Sequence, residues 1–258
     1  MEREGDLLNL AVAACEAAGR VITASRPGTV TAEVKGHGDW VTAVDREAEA
    51  AALAILRAGT PDIPILAEES GGVRADRLWV VDPLDGTTNF VRGFPMVGVS
   101  IALLSEGEPY IGVVGAPQLG ERWQAVRGGG AHDVRGRRLN IQEGAARGVT
   151  ATGFPFRLPQ RRDAYLRVMN RTLAEMEDLR RPGAASLDLA YVAAGSWSGF
   201  FELGLALWDI AAGALLVREA GGTVTDWSGD PRAVLESGDI LAGNPAWHAL
   251  MQDLCSEV

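Results

Sequence analysis

Two carboxylates three residues apart, directly after a short apolar run, are the residues in this chain whose types and spacing point to chemistry. They are Asp82 and Asp85 in the stretch Trp79-Val-Val-Asp-Pro-Leu-Asp-Gly-Thr-Thr-Asn-Phe90. Hard divalent cations such as Mg²⁺ take oxygen ligands, usually one or two carboxylates with water and phosphate oxygens. The following Gly86-Thr87-Thr88 predicts a short helix start, whose free N–H groups favour an anion. The stretch therefore predicts a metal ion and a phosphate at one place.

The strand before these carboxylates decides where they lie. Residues 78–81 are apolar and predict a buried strand, and Pro83 is expected to take the chain out of that strand directly after Asp82. Asp82 would then stand at the carboxyl end of the strand. The alternative is that Asp82-Pro83 and Asp85-Gly86 are ordinary turns, as such dipeptides usually are. The whole stretch after a strand favours the metal and phosphate interpretation.

Length and composition predict one globular domain. The chain has 258 residues, of which 47% are hydrophobic, and such a chain can bury a substantial core. We expect a single domain over 1–258, with approximate halves 1–145, which carries most of the acidic residues discussed here, and 146–258.

Charge and cysteine content exclude several classes of protein. The formal net charge of −10 disfavours a nucleic-acid or anionic-membrane surface. Cys15 and Cys255 have neither a metal-ligand spacing nor a disulfide framework. The N-terminus lacks a signal pattern, and no uninterrupted apolar run approaches a membrane span. We therefore expect a cytoplasmic protein with no nucleic-acid and no membrane partner.

Hydrophobic periodicity predicts alternating helices and strands without repeats. The predicted helices are 7–24, 45–58, 161–178, 187–194, 208–220 and 246–254. The predicted strands are 63–67, 78–81, 97–104, 110–116, 123–127, 223–225 and 239–242. Strands in an antiparallel meander with segregated helices favour a layered α+β fold over a doubly wound parallel sheet.

Three further acids fall near predicted element ends. Glu68 follows a short strand and is a candidate third carboxylate ligand, although alone it also fits a surface turn. Asp45 fits a cap of the following helix, and both Thr42 and Asp45 would be able to reach the site. Asp209 opens a helix that closes on a glycine pair, which is also the ordinary place of a capping acid.

Together these segments resemble the inositol monophosphatase family, within the Mg²⁺-dependent, lithium-sensitive sugar-phosphatase superfamily. Four stretches match the family's signatures in order and spacing: 39–45, 66–70, 79–95 and 208–222. The resemblance implies a layered αβαβα sandwich of the inositol monophosphatase and fructose-1,6-bisphosphatase type. It also implies hydrolysis of a phosphate monoester by water, with two or three Mg²⁺ ions per active site.

The resemblance further implies a role for each matching residue. The metal ligands would be Glu68, Asp82, the Leu84 carbonyl, Asp85 and Asp209, with Asp82 bridging two ions. Thr87, supported by Asp45 and together with Glu68, would orient the nucleophilic water. The N–H groups of Gly86 and Thr87 would receive phosphate oxygens.

Lys35 is the only lysine among 24 basic residues. A compact ammonium on a flexible stem differs from the planar guanidinium of arginine, so the lysine either marks a site that arginine cannot fill or stands there by chance. The resemblance places it near the metal site and so favours a catalytic role.

The leaving alcohol would be recognised by a second set of residues, again by resemblance: Asp85, Gly183, Ala184, Ala185, Glu202 and Asp209. Glu202 alone fits an edge-strand surface acid better. The chain departs from the family pattern at Trp197 and Ser198, where many members have polar or acidic residues, and at Arg92, which replaces a histidine. These departures leave specificity open.

The resemblance implies hydrolysis of inositol 1-phosphate to inositol and phosphate. Close alternatives are fructose-1,6-bisphosphatase or histidinol-phosphatase activity. A different class is a weakly catalytic metal-binding interaction protein. The expected partners are a small phosphorylated polyol or sugar substrate and a second copy of the chain in a homodimer.

Overall fold

The computed structural model describes residues 4–25, 32–36 and 39–256. Its helices are α1 (Glu4–Ala24), α2 (Ala43–Gly59), α3 (Thr87–Arg92), α4 (Arg162–Glu175), α5 (Ala185–Ala193), α6 (Leu207–Glu219), α7 (Val234–Ser237) and α8 (Pro245–Ser256). A short 3₁₀ helix, Pro159–Arg161, precedes α4.

Thirteen strands of the described residues complete the fold. They are β1 (Ala32–Gly36), β2 (Asp39–Thr42), β3 (Ile65–Ala67), β4 (Leu78–Asp85), β5 (Gly98–Ser105), β6 (Glu108–Ala116), β7 (Glu121–Val126), β8 (Gly130–Asp133), β9 (Thr150–Thr152), β10 (Leu179–Arg180), β11 (Gly199–Glu202), β12 (Thr223–Thr225) and β13 (Ile240–Gly243).

Two main sheets lie in five layers with the helices. The six-stranded sheet has the order β3-β4-β5-β6-β7-β8, and the five-stranded sheet has the order β10-β9-β11-β13-β12. Helices α1 and α2 pack on the outer face of the first sheet, α5 and α6 contact both sheets, and α4 and α8 pack together beside the second sheet. The predicted αβαβα sandwich is confirmed.

Three apolar clusters hold these layers together. One lies between α1, α2 and the first sheet, a second surrounds α5 and α6, and a third joins the second sheet to α4 and α8. Strands β4 and β5 are buried along nearly their whole length. Strands that are covered on both faces have continuous apolar sequences, so β4 and β5 could be predicted from the sequence.

The predicted end of β4 at Asp82 is wrong, because the strand continues through Pro83 to Asp85. The pairing with β5 shifts between Asp82, which is opposite Ser100, and Asp85, which is opposite Gly98. Proline is tolerated in a strand at such an irregularity, since its missing N–H is not needed for a ladder bond there. The bulge therefore places both carboxylates on one strand.

Several other element boundaries also differ from prediction. The helix predicted over 161–178 ends at Glu175, and the chain then forms strand β10. Strands β1, β2, β8, β9, β10 and β11 were missed, as was the one-turn helix α7. All of these elements have five residues or fewer, so they carry too little periodicity to be recognised.

Helix α1 is long and apolar enough to cross a membrane by length and composition alone. In this fold it packs along α2 and against β5 and β6. Its residues Leu7, Ala11, Ala14, Ala18 and Ile22 belong to the core cluster under the first sheet. The apolar residues of α1 therefore pack in the core of this fold.

Helix α6 approaches strand β6 so closely that a methyl group at Gly112 would lie 2.8 Å from the carbonyl oxygen of Ala212. Because this neighbour is backbone and cannot rotate away, we expect Gly112→Ala to lower the free energy of unfolding by about 1–3 kcal/mol. Urea denaturation measures the change. Gly5→Ala, where nothing lies within 4 Å, is the matched control. Equal stability of the two variants would contradict the packing described here.

Candidate active site

A cavity of about 520 Å³ opens where the two sheets, α3, α5 and α6 meet. Its lining contains nearly all the residues that the sequence nominated. These are Glu68, Asp82, Leu84, Asp85, Gly86, Thr87, Gly183, Ala184, Ala185, Glu202 and Asp209. The side chain of Lys35 lies outside the described residues, although its backbone belongs to β1. We call this space the active-site cavity.

Asp82 lies at the floor of the cavity and is almost fully buried. Its Oδ1 accepts the backbone N–H of Leu84 at 3.0 Å across the Pro83 bulge. Ser100, opposite Asp82 on β5, donates its hydroxyl to the carbonyl of Trp208 at 2.9 Å. This bond ties the first turn of α6 to β5, and it places Asp209 beside Asp82.

Asp85 is fixed by the amino end of helix α5. Its Oδ2 accepts the N–H of Ser186 at 2.7 Å and the Ser186 hydroxyl at 2.6 Å. A helix N-terminus stabilises a carboxylate through its unpaired N–H groups and its dipole. Asp209, in turn, accepts the N–H of Ala206 at 2.7 Å at the start of α6. Both acids therefore stabilise helix ends as well as lining the cavity.

Glu68 follows β3 in a loop held by a buried acid that the sequence did not single out. Glu49, on α2, accepts the N–H groups of Glu69 and Ser70 at 2.8 and 3.0 Å. This carboxylate fixes the turn and so sets the position of Glu68. Glu49 could have been recognised in the sequence as an acid on the apolar face of an amphipathic helix.

Thr87 and Asp45 form the contact that the family resemblance implied. The Thr87 hydroxyl lies 2.9 Å from Oδ1 of Asp45, while Oδ2 of Asp45 accepts the N–H and hydroxyl of Thr42 at 2.9 and 2.6 Å. The cap of α2 is thus Thr42, with Asp45 as its partner in a capping box. One buried carboxylate joins the start of α2 to the start of α3.

Helix α3 begins at the cavity wall. Its N-cap is Gly86, with φ of 91°, and a methyl group there would lie 2.9 Å from the carbonyl of Met96. Glycine therefore suits both the left-handed backbone and the space available. Asn89 donates to the carbonyls of Met96 and Pro182 at 2.8 Å each. These bonds join the turn at the start of α3 to the segment that carries Gly183.

Glu202 ends strand β11 and faces the same cavity. A methyl group on Gly153 would overlap its carboxylate at about 2 Å, so glycine at that position makes room for Glu202. Burial raises the pKa of Glu202 to about 8, helped by the charge of Asp209, while Arg181 lowers it. The interpretation of Glu202 as a surface acid is therefore wrong, because β11 is a central strand of its sheet.

The carboxylates act on one another. Burial raises the pKa of Asp82 well above its usual value, and the charges of Glu68, Asp85 and Asp209 raise it further. Burial likewise raises the pKa of Asp209 to about 7, with Asp85 adding to the shift. The pKa of Asp85 is also raised by burial, although its bonds to Ser186 oppose this. Four acids thus share one cavity, where burial and neighbouring charges act on their pKa values.

This donor set fits a divalent cation. Among residues 4–25, 32–36 and 39–256, no three acidic, histidine or cysteine side chains already converge as a ready-made metal group. The carboxylates nevertheless surround one cavity and raise one another's pKa, which is the charge arrangement that hard cations neutralise. Glu68, Asp82, Asp85 and Asp209 would hold such an ion, together with the Leu84 carbonyl.

Sequence reasoning missed several residues around the cavity. Asp188 on α5 is 1% exposed, its Oδ1 has no hydrogen-bond partner in the described part of the chain, and burial raises its pKa well above the usual value. Phe154, Phe156, Arg157 and Arg181 line the cavity opening. Asp188 could have been recognised in the sequence as an acid within the apolar run of α5. The four loop residues Phe154, Phe156, Arg157 and Arg181 have no such sequence signal.

Comparisons with known proteins agree with this architecture. The crystal structure of the extragenic suppressor protein suhB from Bartonella henselae superposes with a TM-score of 0.91 at 38% identity, covering 97% of this chain and 98% of that one. The IMPase structure from Thermotoga maritima gives a TM-score of 0.88 at 35% identity, covering 98% and 97%. The likeness therefore extends over the whole fold.

Sequence comparison identifies the class. The model of the inositol monophosphatase family matches residues 4–258, and the chain belongs to that family. The protein named Nus factor SuhB in Escherichia coli K12 is 45% identical over 248 residues, covering 93% of this chain and 91% of that protein. Its namesake in Pseudomonas aeruginosa is 46% identical over 252 residues, covering 92% and 91%. The family is Mg²⁺-dependent.

The raised carboxyl pKa values predict a stability that falls with pH in the absence of metal. The unfolded acids titrate near their ordinary values of 3.8 and 4.5, but folded Asp209 and Glu202 titrate at about 7 and about 8. Between these values the folded chain binds more protons than the unfolded one, so stability declines as pH rises. We expect a loss on the order of a few kcal/mol between pH 5 and pH 8.5.

Urea denaturation at a series of pH values, with chelator, measures this decline. Glu202→Gln has no charge to bury at that position, so its curve should be flatter between the unfolded pKa of 4.5 and the folded pKa of about 8. Added Mg²⁺ should stabilise the chain more at pH 8 than at pH 5. A stability that stays constant from pH 5 to 8.5 without metal would contradict the carboxylate repulsion.

Proposed function

We propose that this protein is a Mg²⁺-dependent phosphatase that hydrolyses the phosphate monoester of a small polyol or sugar, with inositol 1-phosphate as its first substrate. The single observation that carries the proposal is the cavity in which Asp82, Asp85 and Asp209 stand beside the start of helix α3. Membership of the inositol monophosphatase family supports it. We propose two or three ions per active site.

The ions would be held by the carboxylates already described. When bound, Mg²⁺ lowers the pKa of the attacking water and neutralises charge on the phosphate. The chain's own residues provide orientation. The Thr87 hydroxyl donates to Asp45, and its lone pairs would accept a hydrogen bond from the attacking water. Glu68 would share this orientation, and Lys35 would lie nearby.

The phosphate group and the leaving alcohol would bind at different walls of the active-site cavity. The N–H groups of Gly86 and Thr87 belong to the unpaired donors at the start of α3 and would receive phosphate oxygens. The leaving alcohol would lie against Gly183, Ala184 and Ala185, where Glu202 is positioned to accept hydrogen bonds from hydroxyl groups. Asp85 and Asp209 border both regions.

The curated relatives carry the name Nus factor SuhB. A Nus factor is therefore a second candidate function for this chain. It corresponds to the weakly catalytic metal-binding interaction protein that the sequence left open. Among the described residues, the features that point to a definite chemistry are those of the cavity. We therefore propose hydrolysis as the function, in a cytoplasmic homodimer whose small-molecule partner is the phosphorylated substrate.

Phosphate release tests this proposal. We expect Mg²⁺-dependent release from inositol 1-phosphate that exceeds release from fructose 1,6-bisphosphate, histidinol phosphate and 3′-phosphoadenosine 5′-phosphate, and that chelator abolishes. Asp82→Asn should lower the rate by roughly a hundredfold or more, because a neutral amide cannot replace a bridging carboxylate. Circular dichroism should show that the variant remains folded. Release that persists without metal, or an active Asp82→Asn variant, would contradict the assignment.

Glu202→Gln should change substrate preference. The amide keeps the shape but donates where the carboxylate accepted, so kcat/KM for inositol 1-phosphate should fall about tenfold. An aryl phosphate has no hydroxyl groups for Glu202 to bind, and its hydrolysis serves as the control. An equal loss on both esters would make Glu202 a scaffold residue instead of a recognition residue.

A further inference from the structure

Two buried carboxylates lie one turn apart on helix α2. Asp45 is 1% exposed and Glu49 is 4% exposed. Residues four positions apart in an α-helix lie on one face, about 6 Å apart along its axis. The same face of α2 carries Ala48 and Ala52, which are fully buried in the core cluster under the first sheet. Packing of α2 therefore fixes where both acids lie relative to that sheet.

Each of the two acids holds a different residue of the active-site cavity. Asp45 accepts the hydroxyl of Thr87 at 2.9 Å. Glu49 accepts the N–H groups of the two residues directly after Glu68, one at each carboxylate oxygen, at 2.8 and 3.0 Å. Thr87 and Glu68 both line the cavity, and both are proposed above to orient the attacking water. One face of α2 thus holds both of these residues.

The turn that contains Glu68 is held from two sides. The N–H of Glu68 donates to the carbonyl of Val81 on β4 at 3.1 Å. Ala67 and Gly71 close the turn by exchanging N–H bonds to each other's carbonyls at 3.0 and 2.9 Å. Glu49 adds the link from this turn to α2. The position of Glu68 is therefore set relative to β4 and to α2 together.

A buried carboxylate is a costly group with which to hold a turn. Burial removes the hydration of the charge, whereas Ser70 is exposed and water is available to its N–H group. Hydrogen bonds to a carboxylate are about twice as strong as those between neutral groups, and a bidentate arrangement also fixes direction. Misplacing a catalytic group by about 1 Å can lower a rate about a hundredfold. Accurate placement of Glu68 is a functional reason for this buried acid.

We propose that Glu49 is a positioning residue for the attacking water. It acts through Glu68, while Asp45 acts through Thr87, so that α2 sets the separation between the two groups that orient the water. Glu49 is not among the described residues that line the cavity, and it acts without contacting the substrate. The proposal rests on the proposed phosphatase function and adds a residue that governs the geometry of the same site.

Glu49→Gln tests the proposal with little change in side-chain size. The amide oxygen can accept one of the two N–H groups, but the amide nitrogen would face the other one, donor against donor. We expect the dissociation constant for Mg²⁺, measured by calorimetry, to rise about tenfold, because Glu68 is a proposed ligand. The kcat for inositol 1-phosphate should also fall about tenfold, while KM for the ester stays within about twofold.

Glu47→Gln is the matched control. Glu47 is exposed on the same helix, so the same chemical change there should leave the Mg²⁺ dissociation constant and kcat at their wild-type values. A purely structural role of Glu49 would lower the number of Mg²⁺ sites per chain and leave the dissociation constant of each folded site unchanged. That result in Glu49→Gln would overturn the proposal.

Two further variants complete the test. Glu49→Asp keeps both acceptor oxygens on a shorter side chain, so it should retain tighter Mg²⁺ binding than Glu49→Gln. If Glu49→Gln does not fold, Glu49→Asp against Glu47→Asp decides, and equal dissociation constants in that pair would overturn the proposal. In a Glu68→Gln background, Glu49→Gln should change the dissociation constant by less than about twofold, because its effect passes through Glu68. A full tenfold effect in that background would also overturn the proposal.

Mg²⁺ binding separates this proposal from the proposed function. If the wild type binds Mg²⁺ but hydrolyses no ester, the phosphatase assignment fails, and the dissociation constants of the wild type and Glu49→Gln still decide whether Glu49 positions Glu68. If the wild type is an active phosphatase and Glu49→Gln equals it in both dissociation constant and kcat, the positioning role alone fails.

Discussion

The burial of several carboxylates in one cavity, where their like charges add to the cost, is the constraint on which the rest of this structure depends. Charged groups out of water are costly unless they are paired or hydrogen-bonded, and like charges raise the cost. Asp82, Asp85 and Asp209 nevertheless share this cavity, where the charges of Asp85 and Asp209 raise the pKa of Asp82 and the charge of Asp85 raises the pKa of Asp209. A divalent cation would neutralise this set of charges, so the donor set fits a metal site.

The scaffold offsets this cost through bonds that also set positions. The start of α5 holds Asp85 through Ser186, and the start of α6 holds Asp209 through the N–H of Ala206. Asp45 joins the starts of α2 and α3. Each acid thus stabilises a helix end in the absence of ligand. The five-layer fold brings these helix ends to one cavity, and function follows from that convergence.

Much of this arrangement was visible in the sequence because long elements have strong patterns. Helices α1, α2 and α6 and the buried strands β4 and β5 followed from their periodicity. Asp82 and Asp85 stood out because they follow an apolar run in one short stretch. The strand end predicted at Pro83 was wrong, because a bulge that absorbs a missing N–H depends on register with β5, and register is a property of the sheet.

Other residues depend on tertiary contacts that no local pattern encodes. Glu49 holds the loop of Glu68 across the distance between α2 and β3, and Arg181 stacks on Phe154 and Phe156 in the lining of the cavity. Glu202 reads as a surface acid until β11 is known to be central in its sheet. Local signals therefore find the groups that do chemistry, and the fold decides which of them meet.

Titration calorimetry of Mg²⁺ into the metal-free chain at pH 7, repeated in buffers of different ionisation enthalpy, tests the central claim most directly. If the buried carboxylates form the metal site, binding is saturable and releases protons, because Asp209 and Glu202 titrate at about 7 and about 8 without metal. Asp82→Asn should weaken the binding strongly. Absence of saturable binding, or binding that is unchanged in Asp82→Asn, would contradict the account.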